Sequence, residues 1–168
     1  MDVFDSIKTV LAVRSYQDKP VSAELVRRIL EAGRLTGSSM NGQPWHFIAV
    51  QDRQALGRLG ELARSGPYIA QAPLAIAVVT EESRFAVSDA SRAIQSMVLT
   101  AWEAGVGSNW VGFGGLKATK ELLGVPTALT VFALVPFGYP VQAIGAGKKK
   151  RKPLREVAHR ERFGSPFE

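Results

Sequence analysis

A short, uninterrupted apolar run at residues 74–79 strongly restricts how this chain can fold. The run has the length of one strand and shows no polar–apolar alternation, which is typical of a central strand buried on both faces. A helix predicted over residues 88–104 is apolar around much of its circumference, so it also belongs in the core. With the order of the other predicted elements, these features predict an α+β domain that has a mixed β-sheet and a central core helix.

Hydrophobic periodicity predicts further helices over residues 2–13, 23–34, 53–64 and 118–123, and further strands over 45–50, 108–113 and 130–136. Ser22 is a good N-cap for the second helix. No internal repeat or second domain is evident, so we expect a single domain over 1–168, with its core in 1–140. The remaining tail, 141–168, has too little apolar surface for a core of its own. It is either disordered or lies on another surface, such as a partner subunit.

Composition excludes several kinds of chemistry. The absence of Cys excludes disulfides, thiolate nucleophiles and Cys-ligated metal centres. His46 and His159 are far apart and no His–carboxylate cluster has metal-ligand spacing, so we expect no metal site. No apolar run reaches about 18 residues, and the acidic N-terminus does not resemble a signal peptide. We therefore expect no membrane association and a cytoplasmic location.

The net charge of +6 comes from one basic cluster in the tail. Its members are Lys148, Lys149, Lys150, Arg151, Lys152 and Arg155. Such a run is most often solvated, can bind nucleic acid, and can also hold a phosphate. We expect no nucleic-acid binding, because the chain lacks interleaved aromatic residues and any recognised nucleic-acid-reading motif.

The polar segment at residues 37–47 connects the second helix to the first long strand. It combines hydroxyl residues, amides and two glycines. Gly37 and Gly42 can adopt backbone angles that other residues resist, and Pro44 favours an extended Gln43. The segment could bring N–H groups, hydroxyls and amides to a planar polar ligand. An ordinary helix-to-strand connection fits its composition equally well.

Several segments resemble one known family. The clearest is Ser-Ser-x-Asn-x-Gln-Pro-Trp at residues 38–45. The others are Arg14-Ser15-Tyr16, Ala72-Pro73-Leu74, Gly105-Val106-Gly107-Ser108-Asn109-Trp110, Leu123-Gly124-Val125-Pro126, Gly138-Tyr139-Pro140 and Arg151-Lys152-Pro153-Leu154. In this order and spacing they resemble the nitroreductase family of FMN enzymes over most of the chain.

The resemblance implies a nitroreductase-like fold in an intertwined homodimer, with two FMN molecules at the subunit interface and each tail wrapping the partner. It also implies a ping-pong reaction, in which NADH or NADPH reduces the flavin at N5 and leaves before a small-molecule acceptor is reduced. Nitroaromatics and quinones are typical acceptors. The cofactor carries this chemistry, so the chain needs no catalytic residue of its own.

The resemblance assigns two residues to the flavin ring. Arg14 matches the basic residue beside the N1–C2=O edge, where a guanidinium stabilises the negative charge of the reduced flavin. A surface Arg after a helix is the alternative. Gly112 matches a glycine whose N–H points at N5, and a side chain there would block close approach. A simple turn at the end of a strand is the alternative.

The resemblance assigns other contacts to the polar segment and the tail. Ser38, Ser39 and Asn41 match residues that contact the flavin, usually that of the partner subunit, while Gln43 either contacts it or braces the segment. Lys149 and Arg151 match the basic pair that binds the FMN phosphate. His46 is interpreted as structural. Asp89 is interpreted as a charge that favours the start of its helix.

The sequence departs from the family at two places. Val10, Leu11 and Ala12 replace Arg, Arg and Ser, which help hold the phosphate and ribityl groups in typical members. FMN binding is then weaker, or the basic tail provides more of the contacts to the phosphate. The segment between Val79 and Asp89 is also too short for the helices that often cover the substrate pocket, so we expect a more open flavin face. A flavin-binding storage, sensor or interaction protein with little turnover therefore stays as an alternative to the enzyme.

Overall fold

The computed structural model describes residues 1–112, 116–142 and 149–167. The helices are α1 (Val3–Thr9), α2 (Ala23–Arg34), α3 (Arg53–Leu62), α4 (Ala86–Glu103), α5 (Thr119–Leu122) and α6 (Leu154–Val157). The strands are β1 (Trp45–Val50), β2 (Leu74–Thr80), β3 (Gly107–Ser108) and β4 (Thr130–Gly138). The bounds of α2 and β1 are those predicted, and the α+β class is confirmed.

The four strands form one sheet in the order β1-β2-β4-β3, and each neighbouring pair is antiparallel. The prediction that the apolar run is a central strand is confirmed, because β2 lies between β1 and β4 and all seven of its residues are buried. Within the described residues, parallel pairing is limited to an isolated bridge between Ala12 and Ser108. The four paired strands are antiparallel, so over the described ranges the mixed character predicted for the sheet is limited to this one bridge at the β3 edge.

The core lies on both faces of the sheet. On one face, α2 and α4 pack over β2 and β4 through residues such as Ile29, Met97 and Ile76. On the other face, Leu56 and Leu59 of α3 pack against the sheet. Full burial of a large apolar side chain contributes about 1.5–3 kcal/mol, so the two layers stabilise β2 from both sides. The predicted role of α4 as a core helix is confirmed.

The first helix is shorter than predicted. It ends at Thr9, and the following residues are extended because they pair with the backbone of β3. The Val13 N–H donates to the Ser108 carbonyl over 2.9 Å. The strand predicted over residues 108–113 is also shorter over its described part, 108–112, since β3 (Gly107–Ser108) has two residues and Val111 makes only an isolated bridge to Leu134. Residue 113 lies outside the described residues.

The tail contains the single helical turn α6 and a bridge between His159 and Pro166. Its large apolar side chains Leu154, Val157 and Phe163 are exposed, and so are Val3 and Phe4 of α1. Whether the tail lies on a partner subunit stays a prediction. Nowhere in the described parts of the chain is a helix long and apolar enough to cross a membrane.

Candidate functional site

A cavity of about 710 Å³ opens where the end of α1, the middle of α4, the residues after β3 and the start of the tail meet. This volume is typical of cavities that hold a cofactor-sized ligand. Its lining residues are Ile7, Lys8, Val10, Leu11, Ala12, Ile94, Gln95, Val98, Ser108, Asn109, Trp110, Lys149 and Arg151. The wall is therefore mostly apolar, with cations from α1 and the tail.

Lys149 and Arg151 are brought together on this cavity, as the sequence predicts. The Lys149 Nζ donates to the Ile7 carbonyl, which fixes the tail against the last turn of α1. Burial, and then the nearby Arg151 charge, lower the pKa of Lys149 below its ordinary value. Among the described residues, no carboxylate lies within 4.0 Å of either cation. Two adjacent cations without a carboxylate partner form a favourable site for an anion such as a phosphate.

Lys8 is a third cation on the same cavity, and the sequence interpretation did not include it. It lies one turn of helix after Phe4 and is paired loosely with Asp5, with 3.6 Å between Lys8 Nζ and Asp5 Oδ1. Its position just before residues 10–12 was the signal that could have found it. The apolar replacements Val10, Leu11 and Ala12 line the cavity together with these cations.

Asn109 and Trp110 form the far wall of the cavity. The Asn109 Nδ2 donates to the Tyr68 hydroxyl, which holds the amide in place. Trp110 packs edge-on against Phe132, with 5.5 Å between ring centroids. Gly112 lies beneath the indole, and a Cβ there would come 2.4 Å from the Trp110 Nε1. Within this chain, a side chain at position 112 would force the Trp110 indole to move.

Arg14 does not line the cavity, and its side chain is exposed. Its backbone is fixed between two buried residues, Val13 and Tyr16, and the Tyr16 hydroxyl donates to the Val13 carbonyl over 2.6 Å. Burial, together with Tyr68, raises the pKa of the Tyr16 hydroxyl well above its ordinary value, although Arg14 acts in the opposite direction. The guanidinium therefore projects outward from a rigid segment.

Residues 38–43 form a compact turn that does not reach the cavity. The Asn41 N–H donates to the Ser38 carbonyl over 3.1 Å, and the Gln43 N–H donates to Ser38 Oγ over 3.0 Å. Met40, Asn41 and Gln43 have φ angles of 53°, 55° and 48°. The predicted role of the two glycines is wrong, because neither Gly37 nor Gly42 has a positive φ. The prediction of an extended Gln43 is also wrong, because its φ is 48°. Non-glycine residues carry the left-handed conformations here.

The turn is anchored on Asp89, which is 1 % exposed. Both carboxylate oxygens lie 3.1 Å from the Ser39 N, and the Ser39 hydroxyl donates to Oδ1 over 3.0 Å. Arg92 donates to the same oxygen. Burial alone raises the pKa of Asp89, but the Ser39 hydrogen bonds and Arg92 bring it below its ordinary value.

The interpretation of Asp89 as only a charge at the start of a helix is therefore incomplete. In the sequence, Asp89 lies four residues before Ala93 and eight before Met97, on the face of α4 that is buried. An acidic residue on a buried helix face needs hydrogen-bond partners, and that pattern could have identified it. His46 is exposed on β1, with its Nε2 3.1 Å from Glu81 Oε1, and is not among the residues that line the cavity.

The predicted site residues thus occupy separate places in one chain. Lys149 and Arg151 lie on the cavity, and Gly112 lies behind its wall. The turn at 38–43 lies elsewhere, and Gln43 borders a second groove of about 490 Å³ with Trp45 and Phe47. Of the basic cluster, Lys148 lies outside the described residues.

Comparisons with known proteins agree with this fold. A family model described as the nitroreductase family matches residues 11–84 and 68–139. A Methanothermobacter thermautotrophicus protein, provisionally named NADH dehydrogenase/NAD(P)H nitroreductase, is 35% identical over 154 residues, covering 86% of this chain and 81% of its own.

A Bacillus subtilis protein named FMN reductase [NAD(P)H] is 27% identical over 187 residues, covering 96% of this chain and 74% of its own. The structure of an FMN-dependent nitroreductase from Clostridium difficile superposes with a TM-score of 0.84 at 28% identity, covering 95% of this chain and 99% of that one. The family match extends over most of the chain, and the two structures share one architecture. The chain belongs to the nitroreductase family.

Proposed function

We propose that this protein binds FMN and is an NAD(P)H-dependent flavin oxidoreductase that reduces nitroaromatics, quinones or similar small acceptors by a ping-pong mechanism. We further propose that it works as a homodimer in the cytoplasm. The observation that carries the proposal is the cavity with two cations, Lys149 and Arg151, that have no carboxylate partner in the described parts of the chain. The FMN reductase and FMN-dependent nitroreductase named among the similar proteins support the choice of cofactor.

The residues that line the cavity suit FMN. Lys149 and Arg151 would hold the phosphate through charge-assisted hydrogen bonds, and Lys8 adds a third positive charge. Residues 10–12 can supply only backbone groups and apolar contacts, so the cations from α1 and the tail replace the polar side chains that typical members have there. The apolar wall formed by Ile94 and Val98 keeps water away from the planar part of a ligand.

Bound FMN supplies two-electron transfer at N5, between a reduced nicotinamide and an oxidised acceptor. The contribution of the protein is position and charge. Arg14 would offer its positive charge to the N1–C2=O edge, where a cation favours the anionic reduced flavin; its exposed side chain does not line the cavity of this chain and would have to turn toward the ring. Gly112 would present its N–H at N5, where the missing side chain permits close approach once the neighbouring Trp110 indole leaves room.

A homodimer would bring the separate groups of residues together. In one chain, the turn at 38–43 lies apart from the cavity that holds Lys149 and Arg151. A second copy could place its Ser38 and Asn41 beside the flavin held by the first. The apolar side chains exposed on α1 and the tail, including Phe4 and Phe163, provide surface for such an interface.

One observation favours the alternative of a flavin-binding storage, sensor or interaction protein. Val10, Leu11 and Ala12 supply no polar side chains where typical members help hold the phosphate and ribityl groups. A protein that binds the flavin without positioning it for reduction would keep the fold and lose the turnover.

The direct test is the reaction of the purified protein with FMN and NAD(P)H. The enzyme proposal predicts a yellow protein whose flavin absorbance is bleached by NADH or NADPH without oxygen, and recovers when a quinone or nitroaromatic is added. A yellow protein that neither nucleotide bleaches favours the binding alternative. A protein that takes up no FMN rules out both.

The phosphate assignment is tested by comparing FMN with riboflavin, which lacks the phosphate. We expect Lys149→Gln and Arg151→Gln each to weaken FMN binding about tenfold or more and to leave riboflavin binding unchanged. Lys150→Gln is the matched control, because Lys150 is exposed and does not line the cavity. Equal losses for both flavins would show that the two cations do not bind the phosphate.

A further inference from the structure

We infer that Asp89 is a positioning residue, which acts through Ser39 and Arg92 to hold residues 38–43 in a conformation that presents Ser38 and Asn41, rather than Ser39, to the flavin. The inference rests on the proposed FMN function and changes which residues of the turn carry it. Ser39 becomes the anchor of the turn and not one of its ligand contacts.

The first step is the use of the Ser39 hydroxyl. A serine hydroxyl has a single hydrogen to donate, and that of Ser39 is directed at Asp89 Oδ1 over 3.0 Å. The hydroxyl oxygen of Ser39 in turn accepts a hydrogen bond from Arg92 Nη2 over 3.2 Å. The Ser39 N–H is also used, since it lies 3.1 Å from both Asp89 oxygens. Ser39 therefore has no donor left for a flavin.

The second step is the environment of Asp89. The carboxylate is almost completely buried and faces Ser39, Ser88 and Arg92. A buried carboxylate is tolerated only where charge and hydrogen bonds compensate it. Here the compensation comes from α4 itself, through Arg92, and from the turn, through Ser39. The turn and the core helix are thus joined at one residue.

The third step is the conformation that this anchor holds. Met40 and Asn41 follow Ser39 directly and have positive φ angles, as does Gln43. Residues other than glycine stay in this region only where their surroundings fix them. In the described hydrogen-bond network, every bond from residues 38–43 to α4 passes through Ser39.

The fourth step is what the turn presents. Ser38 Oγ accepts the Gln43 N–H over 3.0 Å, so its own hydrogen is directed away from that bond. Asn41 is exposed, and in the described hydrogen-bond network only its backbone is engaged. A hydroxyl and a carboxamide can together meet the alternating donors and acceptors along the edge of an isoalloxazine ring.

The test is a double-mutant cycle between Ser39 and Asp89, read as the FMN dissociation constant of the apoprotein. We expect Ser39→Ala and Asp89→Asn each to weaken FMN binding about tenfold. The double variant should be no weaker than the worse single one, because both changes remove the same anchor. Ser39→Thr, which keeps the hydroxyl, should bind FMN with wild-type affinity.

Hydrogen exchange of the peptide that contains residues 38–43 gives a readout that does not depend on flavin. Exchange should be faster in Ser39→Ala and Asp89→Asn and unchanged in Asn41→Ala, although Asn41→Ala should also weaken FMN binding. Additive losses in the cycle would overturn the inference, because Ser39 would then contact the ligand independently. Unchanged exchange in Ser39→Ala would also overturn it.

Two outcomes are kept apart by this design. If Asp89→Asn does not fold, Arg92→Gln replaces it in the cycle, since the Arg92 side chain is half exposed and can be removed without leaving a cavity. If the wild-type protein takes up no FMN, the proposed function fails. The exchange comparison between Ser39→Ala and wild type still decides whether Asp89 and Ser39 anchor the turn.

Discussion

Gly107 is packed so closely that one added methyl group should destabilise the protein. It lies in β3 opposite Gly138, and a Cβ built on it would come 2.2 Å from Val13 Cγ2 and 2.8 Å from Val13 Cβ. Rotating the valine moves Cγ2 but not Cβ, and Val13 is only 4 % exposed. The backbone on one side must therefore move, and we expect Gly107→Ala to lower the free energy of unfolding by about 2–3 kcal/mol.

A double-mutant cycle with Val13 isolates this contact. Val13→Ala alone removes two methyl groups from a buried site, which costs about 2 kcal/mol including the cavity. In the double variant the new methyl enters the vacated space, and only the 2.8 Å contact between the two Cβ positions remains. The double variant should then cost about 3 kcal/mol rather than the roughly 4–5 kcal/mol expected from addition.

The assay is urea unfolding of the apoprotein, with the midpoint and the slope both fitted. Val13 and Ser108 are joined by a backbone hydrogen bond, and Ser108 lines the cavity, so Gly107→Ala should also weaken FMN binding. Two results would refute the reasoning. One is a Gly107→Ala variant within about 0.5 kcal/mol of wild type, and the other is a double variant that is additive within the same margin.

Three further predictions test other parts of the molecule. Gly57 and Gly60 both lie in α3. Gly57→Ala should stabilise the protein by about 1 kcal/mol, because the new methyl group meets nothing within 4 Å. Gly60→Ala should destabilise it by about 1–3 kcal/mol, because its Cβ would come 2.9 Å from the backbone of Ala70. Thermal unfolding compares the two variants, and equal effects would contradict the packing argument. The pKa of Asp89 is lowered in the folded state, so the carboxylate stabilises the protein above its unfolded-state pKa, and this stabilisation is lost as the pH falls through the folded-state pKa. In urea unfolding between neutral and acidic pH, the free energy of unfolding should therefore fall more steeply in wild type than in Asp89→Asn. Arg14→Ala should slow flavin reduction by NAD(P)H about tenfold or more in stopped-flow experiments, and a variant with unchanged reduction and unchanged FMN affinity would remove Arg14 from the site.

Local signals were sufficient for the elements whose ends are set by their own residues. Ser22 caps α2 through a hydrogen bond from the Leu25 N–H, and α2 has the predicted bounds. The apolar run at 74–79 was correctly interpreted as a central strand because β2 needs apolar residues on both faces. In both places the sequence pattern and the tertiary environment require the same structure.

The prediction failed where distant residues override the local pattern. Residues 10–13 continue the apolar periodicity of α1, yet they are extended because their backbone pairs with Ser108, almost one hundred positions away. The same holds for the turn at 38–43, where composition indicates glycine as the carrier of unusual angles. The anchor on Asp89 instead places them on Met40, Asn41 and Gln43.

For the candidate site, the sequence predicted the tail cations but not their surroundings. Lys149 and Arg151 were identified by motif and do share a cavity. Lys8, Tyr68 and Asp89 were not identified as part of the site, because each gains its relevance from a partner far away in the chain. A sequence motif shows which residues recur together, whereas burial and hydrogen bonding decide what each of them does.

During synthesis, β2 leaves the ribosome well before its partner strand β4. About fifty residues separate the end of β2 from the start of β4, so at typical synthesis rates the ribosome needs roughly 3–10 seconds to supply the missing neighbour. During that interval, one edge of the most apolar strand in the protein has no partner and can pair with another nascent chain. Slower translation through residues 81–129 should therefore increase aggregation during synthesis, while refolding of the finished chain would be unaffected.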